Sequence, residues 1–302
     1  MMSRILVFLK GLAMGAADVV PGVSGGTIAF ITGIYDELLS SINAVNFDTL
    51  KILRKEGLKA AWKEVNGAFL LPLFLGIATS FVTLASLFKR LLEEYPNLLW
   101  AFFFGLIIAS VFVVGKMVKN WDARTIVGVV IGTIVSFWLT TIEPSAGTEA
   151  YWFVFLAGVI AICAMILPGI SGSFILLLLG VYASMLTAVS NMDLVFIAIL
   201  GAGAVVGLLS FSRVLKWTLD NYHDLTVSVL IGFLIGSLNK IWPWKETISF
   251  RTNSHGEEVP FIQENIMPSA YDNPQIGAVV GLVLAGTVLI LVLNRFTPDE
   301  SK

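Results

Sequence analysis

Charged residues are scarce in this sequence, and their scarcity excludes an ordinary soluble domain. Only 13% of the 302 residues are Asp, Glu, Lys or Arg, while 57% are hydrophobic. Soluble domains carry about 25% charged residues. A soluble core could not enclose this much apolar surface, so the sequence predicts an integral membrane protein with lipid around its helices. The net charge of −2 gives no sign of a nucleic-acid partner.

Cysteine and histidine are also rare, which argues against disulfide and metal chemistry. The single cysteine, Cys163, cannot form a disulfide within the chain. With one cysteine and two well-separated histidines, His223 and His255, a soft-metal site is not expected. The sequence predicts neither a metal nor a cofactor.

One motif occurs twice in the chain, 147 residues apart. Residues 14–41 read MGAADVVPGVSGGTIAFITGIYDELLSS, and residues 161–188 read AICAMILPGISGSFILLLLGVYASMLTA. Pro-Gly-(Val/Ile)-Ser-Gly and a later Gly-(Ile/Val)-Tyr coincide in register. The similarity continues at offsets of 127 and 149 residues, and the offset changes in loops. The chain is therefore predicted to consist of two repeats, residues 1–148 and 149–302.

The two repeats share one hydrophobic profile. An apolar region broken by the Pro-Gly motif comes first, near 5–45 and 151–190. Three apolar runs of about 17–25 residues follow in each repeat, the length of a membrane-spanning helix. These runs are 67–88, 97–115, 125–141, 194–212, 225–241 and 275–294. The predicted fold is an all-α membrane protein in which each half has a broken helix pair, re-entrant or a hairpin, and three transmembrane helices.

The distribution of Lys and Arg predicts opposite orientations for the two repeats. If loop 46–66 is cytoplasmic, fourteen of the 19 Lys and Arg residues, Lys10 among them, fall on the cytoplasmic side, as the positive-inside rule expects. Loop 142–150, which has two Glu and no Lys or Arg, then lies outside. Both termini are cytoplasmic, and each repeat crosses the membrane an odd number of times. Many secondary transporters are inverted repeats of this kind.

The Pro-Gly motifs are predicted to interrupt helices at membrane depth. Proline and paired glycines break a helix, here at Pro21-Gly22 and at Pro168-Gly169. The backbone groups that a break leaves free cannot face lipid, so they must be buried in protein or line a wet cavity. Two such breaks in equivalent places predict a binding site near the membrane midplane.

Each break is followed by residues that suit an anion. Serine and threonine cap helix N-termini, and glycine lets a ligand approach the backbone closely. Exposed N–H groups and the helix dipole then attract negative charge. The predicted phosphate or carboxylate site consists of Ser24, Gly25, Gly26 and Thr27 from the first motif and Ser171, Gly172 and Ser173 from the second. The alternative is that these small residues serve only close helix packing.

Three charged residues are further candidates. Asp18 is an acid inside an apolar run, and its repeat counterpart is Met165. Three roles fit this acid: it carries a coupling proton, binds Na⁺ or caps the loop backbone. Arg213 and Lys216, near the cytoplasmic boundary, suit phosphate, although snorkelling at a helix end also explains them.

The first motif resembles a known family signature. The segment GAADVVPGVSGGT at 15–27, followed by Gly33-Ile34-Tyr35, is similar to the signature of the bacterial and archaeal polyprenyl-phosphate transporters of the PopT type. That family was long known only as a domain of unknown function. The second motif also fits its pattern, and the resemblance covers nearly the whole chain. The resemblance does not indicate which basic residues hold the phosphate.

The resemblance implies a flippase for undecaprenyl phosphate in the bacterial cytoplasmic membrane. In that family the lipid carrier is released on the outer face during cell-wall synthesis, and its headgroup is returned to the cytoplasmic face. Alternating access of one midplane site lowers the barrier to moving a phosphate through about 30 Å of hydrocarbon. The expected partners are the polyprenyl phosphate and membrane lipids. Coupling to H⁺ or Na⁺, uncoupled scrambling and the oligomeric state, including a homodimer, stay open.

Two other functions fit parts of the same pattern. A channel or transporter for a small soluble anion would use the same motif but needs no lateral opening to lipid. An intramembrane enzyme that acts on a lipid phosphate needs reacting groups, and the sequence shows no membrane-depth histidine, pair of acids or metal cluster. The chain is therefore predicted to be a transporter rather than an enzyme.

Overall fold

The computed structural model describes residues 3–20, 22–252 and 258–295. The described residues are mostly helical, as predicted, and apart from α4 and α5 the helices follow the same order in both halves. The first half contains α1 (Arg4–Val19), α2 (Gly25–Ile31), α3 (Tyr35–Asn43), α4 (Phe47–Glu56), α5 (Leu58–Glu64), α6 (Gly67–Glu94), α7 (Pro96–Gly115) and α8 (Ala123–Thr141). The second half contains α9 (Tyr151–Ile166), α10 (Gly172–Leu178), α11 (Tyr182–Ser190), α12 (Leu194–Asn221), α13 (His223–Ser237) and α14 (Ile276–Arg295).

Within the described residues, five helices are long and apolar enough to cross a membrane. They are α6, α7, α8, α12 and α14, and each corresponds to an apolar run predicted from the sequence. The sixth run is shorter than predicted, since α13 has 15 residues and ends at Ser237. The polar pair Asn239-Lys240 follows this helix in a turn. The helices are those of a multi-pass membrane protein.

Each broken region consists of one long helix followed by two short ones. The long helices α1 and α9 have 16 residues each, and they are followed by helices of 7 and then 9 residues in both halves. Helices of 7 and 9 residues are about 10 and 14 Å long, too short to cross about 30 Å of hydrocarbon. The two short helices of the second half, α10 and α11, are bent by 108° relative to each other.

The backbone leaves the helix in the same way at both breaks. Gly22 and Gly169 have φ angles of +91° and +85°, a region that glycine adopts without steric penalty. The short helices α2 and α10 are then followed by a second pair of such glycines, Gly33 and Gly180, with φ angles of +68° and +70°. Pro21, predicted as part of the first break, lies outside the described residues.

A two-stranded hairpin between α13 and α14 is an element that the all-α prediction did not include. Strand β1 (Lys245–Thr252) pairs with β2 (Glu258–Asn265) in antiparallel fashion. The indole N–H of Trp242 donates to the carbonyl of Ile266 at 3.0 Å, which fixes the base of the hairpin to the turn after α13. The hairpin therefore adds a polar wall next to the end of α13.

The position of Lys10 corrects one part of the charge assignment. The sequence analysis counted Lys10 among the cytoplasmic cations, but this residue lies on α1 and is buried. Its Nζ donates to the carbonyl of Thr32, which follows the last turn of α2. Carbonyl groups at a helix C-terminus attract a cation, so Lys10 is held inside the protein rather than in a solvated loop.

Four helix pairs form the frame of the molecule: α1 with α6, α9 with α12, α7 with α14, and α8 with α13. The last two pairs join helices from different halves, so the halves interlock. Glycines let the backbones in these pairs approach closely; a Cβ on Gly203 of α12 would lie 2.1 Å from the carbonyl oxygen of Phe155 on α9. Close packing at small residues is a main source of helix association in membranes.

We expect Gly203→Ala to destabilise the protein and Gly201→Ala, two residues away on the same helix, to leave it unchanged. The methyl group at 203 forces α9 and α12 apart, whereas nothing lies within 4 Å of a Cβ at 201. Overpacking of this kind costs about 1–3 kcal/mol. Thermal unfolding of the two purified variants measures the difference, and equal midpoints would contradict the packing role.

Candidate functional site

The two Pro-Gly motifs meet where the start of α2 contacts the end of α9. The Ser24 hydroxyl lies 3.0 Å from the carbonyl oxygen of Met165 and 3.3 Å from that of Leu167, and it donates to them. Thr27 Oγ1 accepts a hydrogen bond from the Gly169 N–H at 3.0 Å. The sequence predicted that both motifs would point to one buried spot, and these atoms lie within hydrogen-bond distance of one another.

Tyr35, from α3, adds a further bond to the same place. Its hydroxyl donates to the carbonyl of Ile166 at 3.1 Å, and its ring packs edge-on against Phe30 with 4.7 Å between centroids. The last carbonyls of a helix have no partner within that helix. Residues 165–167 at the end of α9 therefore receive their hydrogen bonds from hydroxyl groups of α3 and of the residue that caps α2.

The start of α2 is capped by the protein itself. The Gly25 N–H donates to Asp18 Oδ1 at 2.7 Å, and the Gly26 N–H donates to Ser24 Oγ at 3.1 Å. Ser24 and Thr27 are completely buried. The bond to Gly25 is the one expected of the capping role for Asp18. In this conformation the polar groups of the first motif are engaged with protein rather than open to a ligand.

The start of α10 is arranged differently. Met165 occupies the position that Asp18 has in the first repeat. The Ser171 hydroxyl is 2.8 Å from the Ser173 hydroxyl, and among the described residues no side chain caps the first N–H groups of α10. Gly172 follows directly as the first residue of the helix. The second motif therefore lacks the carboxylate cap of the first.

Ser171 lines a narrow crevice between the two breaks. Gly22 and Gly169, the positive-φ glycines of both motifs, lie on its walls, and Lys240 lies beside them. A Cβ on Gly22 would lie 3.1 Å from Cγ of Lys240, so the glycine packs against the aliphatic part of the lysine. The other lining residues are Ser136, Leu139, Thr140, Ile170 and Phe174.

The crevice adjoins a larger cavity of about 430 Å³ between α8, α10 and the hairpin. Thr140, Phe174 and Lys240 line both spaces. One wall, formed by α8, the loop after it and α10, includes the apolar residues Phe137, Ile142, Pro144, Leu177 and Leu178, together with Thr141 and the exposed Glu143. The other wall, formed by the turn after α13 and the hairpin, is mostly polar and includes Asn239, Lys245, Gln263 and Asn265, with the exposed Glu264 and the apolar Ile262. The volume is that of a small-molecule site, and the two walls suit a ligand with a charged head and an apolar tail.

Lys240 is the cation at the junction of the crevice and the cavity. Its Nζ lies 4.7 Å from the centroid of the Phe174 ring. In the described part of the chain, no carboxylate lies within 4.0 Å of that nitrogen. Burial lowers the pKa of Lys240, because desolvation disfavours the charged form. Sequence reasoning missed this residue because it stands at the end of the predicted run 225–241, where a snorkelling lysine is ordinary.

Arg213 and Lys216 lie elsewhere in the protein. Arg213 is exposed, and its Nη2 donates to the carbonyl of Val45 at 3.4 Å. Lys216 Nζ pairs with Asp220 at 2.7 Å and with Asp36 at 3.6 Å. Both residues are on α12, which packs against α3, and neither lines the crevice or the cavity. The structure does not bring these two predicted phosphate ligands to the helix breaks. Within the described residues, no group of three His, Cys, Asp or Glu could hold a metal ion.

Comparison with known proteins gives consistent matches. A family described as undecaprenyl phosphate translocase-like matches residues 14–259. The polyprenyl-phosphate transporter of Vibrio cholerae is 47% identical over 300 residues, which cover 98% of this chain and 97% of that protein. The polyprenyl-phosphate transporter of Staphylococcus aureus is 32% identical over 253 residues, which cover 78% of this chain and 85% of that protein. No solved structure matches.

We expect Thr27→Val to destabilise the junction of the two motifs. The substitution keeps the shape of the side chain but leaves the buried Gly169 N–H without its acceptor, which costs about 1–3 kcal/mol. Thr83→Val is the matched control, because that exposed hydroxyl bonds only to the Thr79 carbonyl of its own helix. Thermal unfolding should separate the two variants; a Thr27→Val protein as stable as the control would contradict the role given to this bond.

Proposed function

Because this chain belongs to the undecaprenyl phosphate translocase-like family, we propose that it transports undecaprenyl phosphate, or a related polyprenyl phosphate, across the bacterial cytoplasmic membrane. Family membership confirms the resemblance found in the first motif. It also makes the chain a transporter rather than an enzyme. In this proposal the headgroup moves from the outer to the cytoplasmic leaflet, where the lipid carrier is used again in cell-wall synthesis.

The cavity between α8, α10 and the hairpin, which has an apolar and a polar wall, is the main support for this proposal. Lys240 and Asn239 on its polar wall suit a phosphate, and Phe137 and Leu177 on its apolar wall suit the first isoprene units. Phe137 is half exposed, and Ile134 and Trp138 on the same helix are exposed too, so in this proposal the apolar wall joins the lipid-facing surface of α8. A small soluble anion requires no such wall, which favours a lipid phosphate over the soluble-anion alternative.

An inverted arrangement of the repeats 1–148 and 149–302 completes the proposal. The common order of helices, the matching positive-φ glycines and the bias of Lys and Arg support it. In this arrangement each broken region, α1 to α3 and α9 to α11, enters and leaves the membrane on the same side, since neither short helix of a pair can cross alone. Both termini are cytoplasmic, and the cavity next to loop 142–150 faces the outer side, where the lipid carrier is released in this family.

Transport in this scheme alternates the access of one central site between the two membrane faces. Ser171 and Lys240 line the space open to the outer side. The predicted contacts Gly172 and Ser173 lie in the first turn of α10, next to Ser171. The first-motif residues hold the break of the second motif in place, and their phosphate contacts belong to another conformation. Arg213 and Lys216 are proposed as contacts for the headgroup on the cytoplasmic side.

The proposed function predicts faster movement of the headgroup between leaflets in reconstituted vesicles. Labelled undecaprenyl phosphate should cross, undecaprenol should not be accelerated, and inorganic phosphate should not be taken up. Ser171→Leu, which fills the crevice, should slow the lipid about tenfold or more, the effect of losing one bond to a charged group. Ser210→Leu adds the same bulk to an exposed position on α12 and should transport normally. Uptake of inorganic phosphate instead would favour the soluble-anion alternative, and release of phosphate from the lipid would favour the enzyme.

The coupling role proposed for Asp18 can be separated from its capping role. Asp18→Asn keeps an oxygen acceptor for the Gly25 N–H but removes the charge, so we expect normal stability and loss of any stimulation by a pH or Na⁺ gradient. Asp18→Ala removes the acceptor too and should cost about 1 kcal/mol in addition. Unchanged gradient stimulation in Asp18→Asn vesicles would leave Asp18 with the capping role alone.

A further inference from the structure

The turn that carries Lys240 is held rigidly from three directions. Asn239, next to it, donates from Nδ2 to Thr140 Oγ1 at the end of α8 at 2.7 Å. Asn265 of the hairpin donates to both the carbonyl and the side-chain oxygen of Asn239, at 2.8 and 2.9 Å. The ammonium group of Lys245 donates to the carbonyl of Lys240. The backbone at Lys240 is therefore fixed before any ligand binds, so no backbone entropy is lost there on binding.

The two lysines of the cavity differ in how their charges are used. Lys245 Nζ is bonded to the Lys240 carbonyl and stacks on the Trp100 ring, 3.9 Å from its centroid. Its Nζ is therefore engaged within the fold. Lys240 Nζ faces the Phe174 ring, and among the described residues it has neither a hydrogen-bond acceptor nor a carboxylate. Lys240 is thus the cavity cation whose hydrogen-bond donors are available.

The surroundings of Lys240 favour an anion that also carries an apolar group. Glu143 and Glu264 line the cavity, but both are exposed to solvent, where charges are screened. On α8 and α10, Phe137 and Leu177 offer apolar surface in the same cavity. A prenyl phosphate can contact the polar wall with its phosphate and the apolar wall with its prenyl chain, whereas inorganic phosphate can contact only the polar wall.

We propose that Lys240 anchors the phosphate group of the lipid when it enters the cavity from the outer side, with the apolar wall holding the first isoprene units. This inference rests on the proposed function and gives its site a defined anchoring residue. It replaces Arg213 and Lys216, favoured by the sequence, as the first contact of the headgroup. Phe174 keeps the ammonium group in place until the phosphate arrives, since a cation is attracted to an aromatic face.

Direct binding to the purified full-length protein tests this anchor. The probes are farnesyl phosphate, inorganic phosphate and farnesol, measured by calorimetry in detergent. Lys240→Met keeps the aliphatic stem that packs on Gly22 and removes the charge, so farnesyl phosphate should bind about tenfold or more weakly while farnesol binding stays the same. Lys240→Arg should restore most of the affinity. Arg90→Gln is the control, because it removes an equal charge from an exposed side chain paired with Glu94.

The outcomes separate this inference from the proposed function. If Lys240→Met binds farnesyl phosphate as tightly as the wild type does, Lys240 is not the anchor, and the transport proposal stands. Binding of inorganic phosphate as tight as that of farnesyl phosphate, and lost in Lys240→Met, would support the anchor and overturn lipid selectivity. Absence of binding of either phosphate to the wild type would overturn both.

A measurement on the wild type does not depend on the folding of any variant. An amine-reactive acetylating reagent followed by mass spectrometry reports the accessibility of each lysine. Farnesyl phosphate should protect Lys240 several-fold, farnesol should not, and the exposed Lys116 should react equally in all samples. Unchanged acetylation of Lys240 at saturating farnesyl phosphate would contradict the proposal.

Discussion

A break in a membrane helix leaves backbone groups that hydrocarbon cannot satisfy, and this constraint organises the structure. Each unpaired polar group in an apolar medium costs several kcal/mol. The break at Pro168 interrupts the hydrogen bonds of α9, and the chain satisfies them with side chains from the other half. Ser24 and Tyr35 donate to residues 165–167, and Thr27 accepts from Gly169. The two motifs must therefore lie together for the fold to be stable.

The two copies of the motif differ in the hydrogen bonds that they make. In the first copy, Asp18 and Ser24 accept hydrogen bonds from the N–H groups at the start of α2. The Ser24 hydroxyl donates to carbonyls at the end of α9, and the Thr27 hydroxyl accepts from the Gly169 N–H. In the second copy Met165 replaces the acid, and Ser171 lines a crevice beside Lys240. An approximate symmetry of sequence thus produces a first copy that holds α9 through hydrogen bonds and a second copy that lines a crevice. The amphiphilic cavity lies on the side of the second copy.

Sequence patterns predicted the features that depend on local composition. Helix breaks follow from Pro-Gly pairs, spans follow from the length of apolar runs, and the meeting of the breaks follows from the need to bury freed backbone. Other features depend on tertiary contacts that no pattern encodes. Lys240 stands at the end of the predicted run 225–241 like any snorkelling lysine, and only the packing of α8, α10 and the hairpin around it reveals a cavity. Arg213 and Lys216 looked equivalent to it, but the packing of α12 on α3 directs them to Val45 and Asp36.

The hydrogen bonds between the motifs also limit how access to the site can change. Separating the start of α2 from the end of α9 would leave the carbonyls of residues 165–167 and the Gly169 N–H unpaired, at about 1–3 kcal/mol for each group. A shift of α8 against α10 at the rim of the cavity would break the bond from the Ser145 N–H to the Leu178 carbonyl, which is 2.8 Å long. There the end of α8 is tied to the turn after α13 by the bond between Asn239 and Thr140, and α8 packs on α13 along its length. In the proposed transport cycle, access therefore changes at least cost when α8, α13 and the hairpin shift against α10 while the two motifs move as one body, whereas phosphate contacts of the first-motif residues would require the costlier separation.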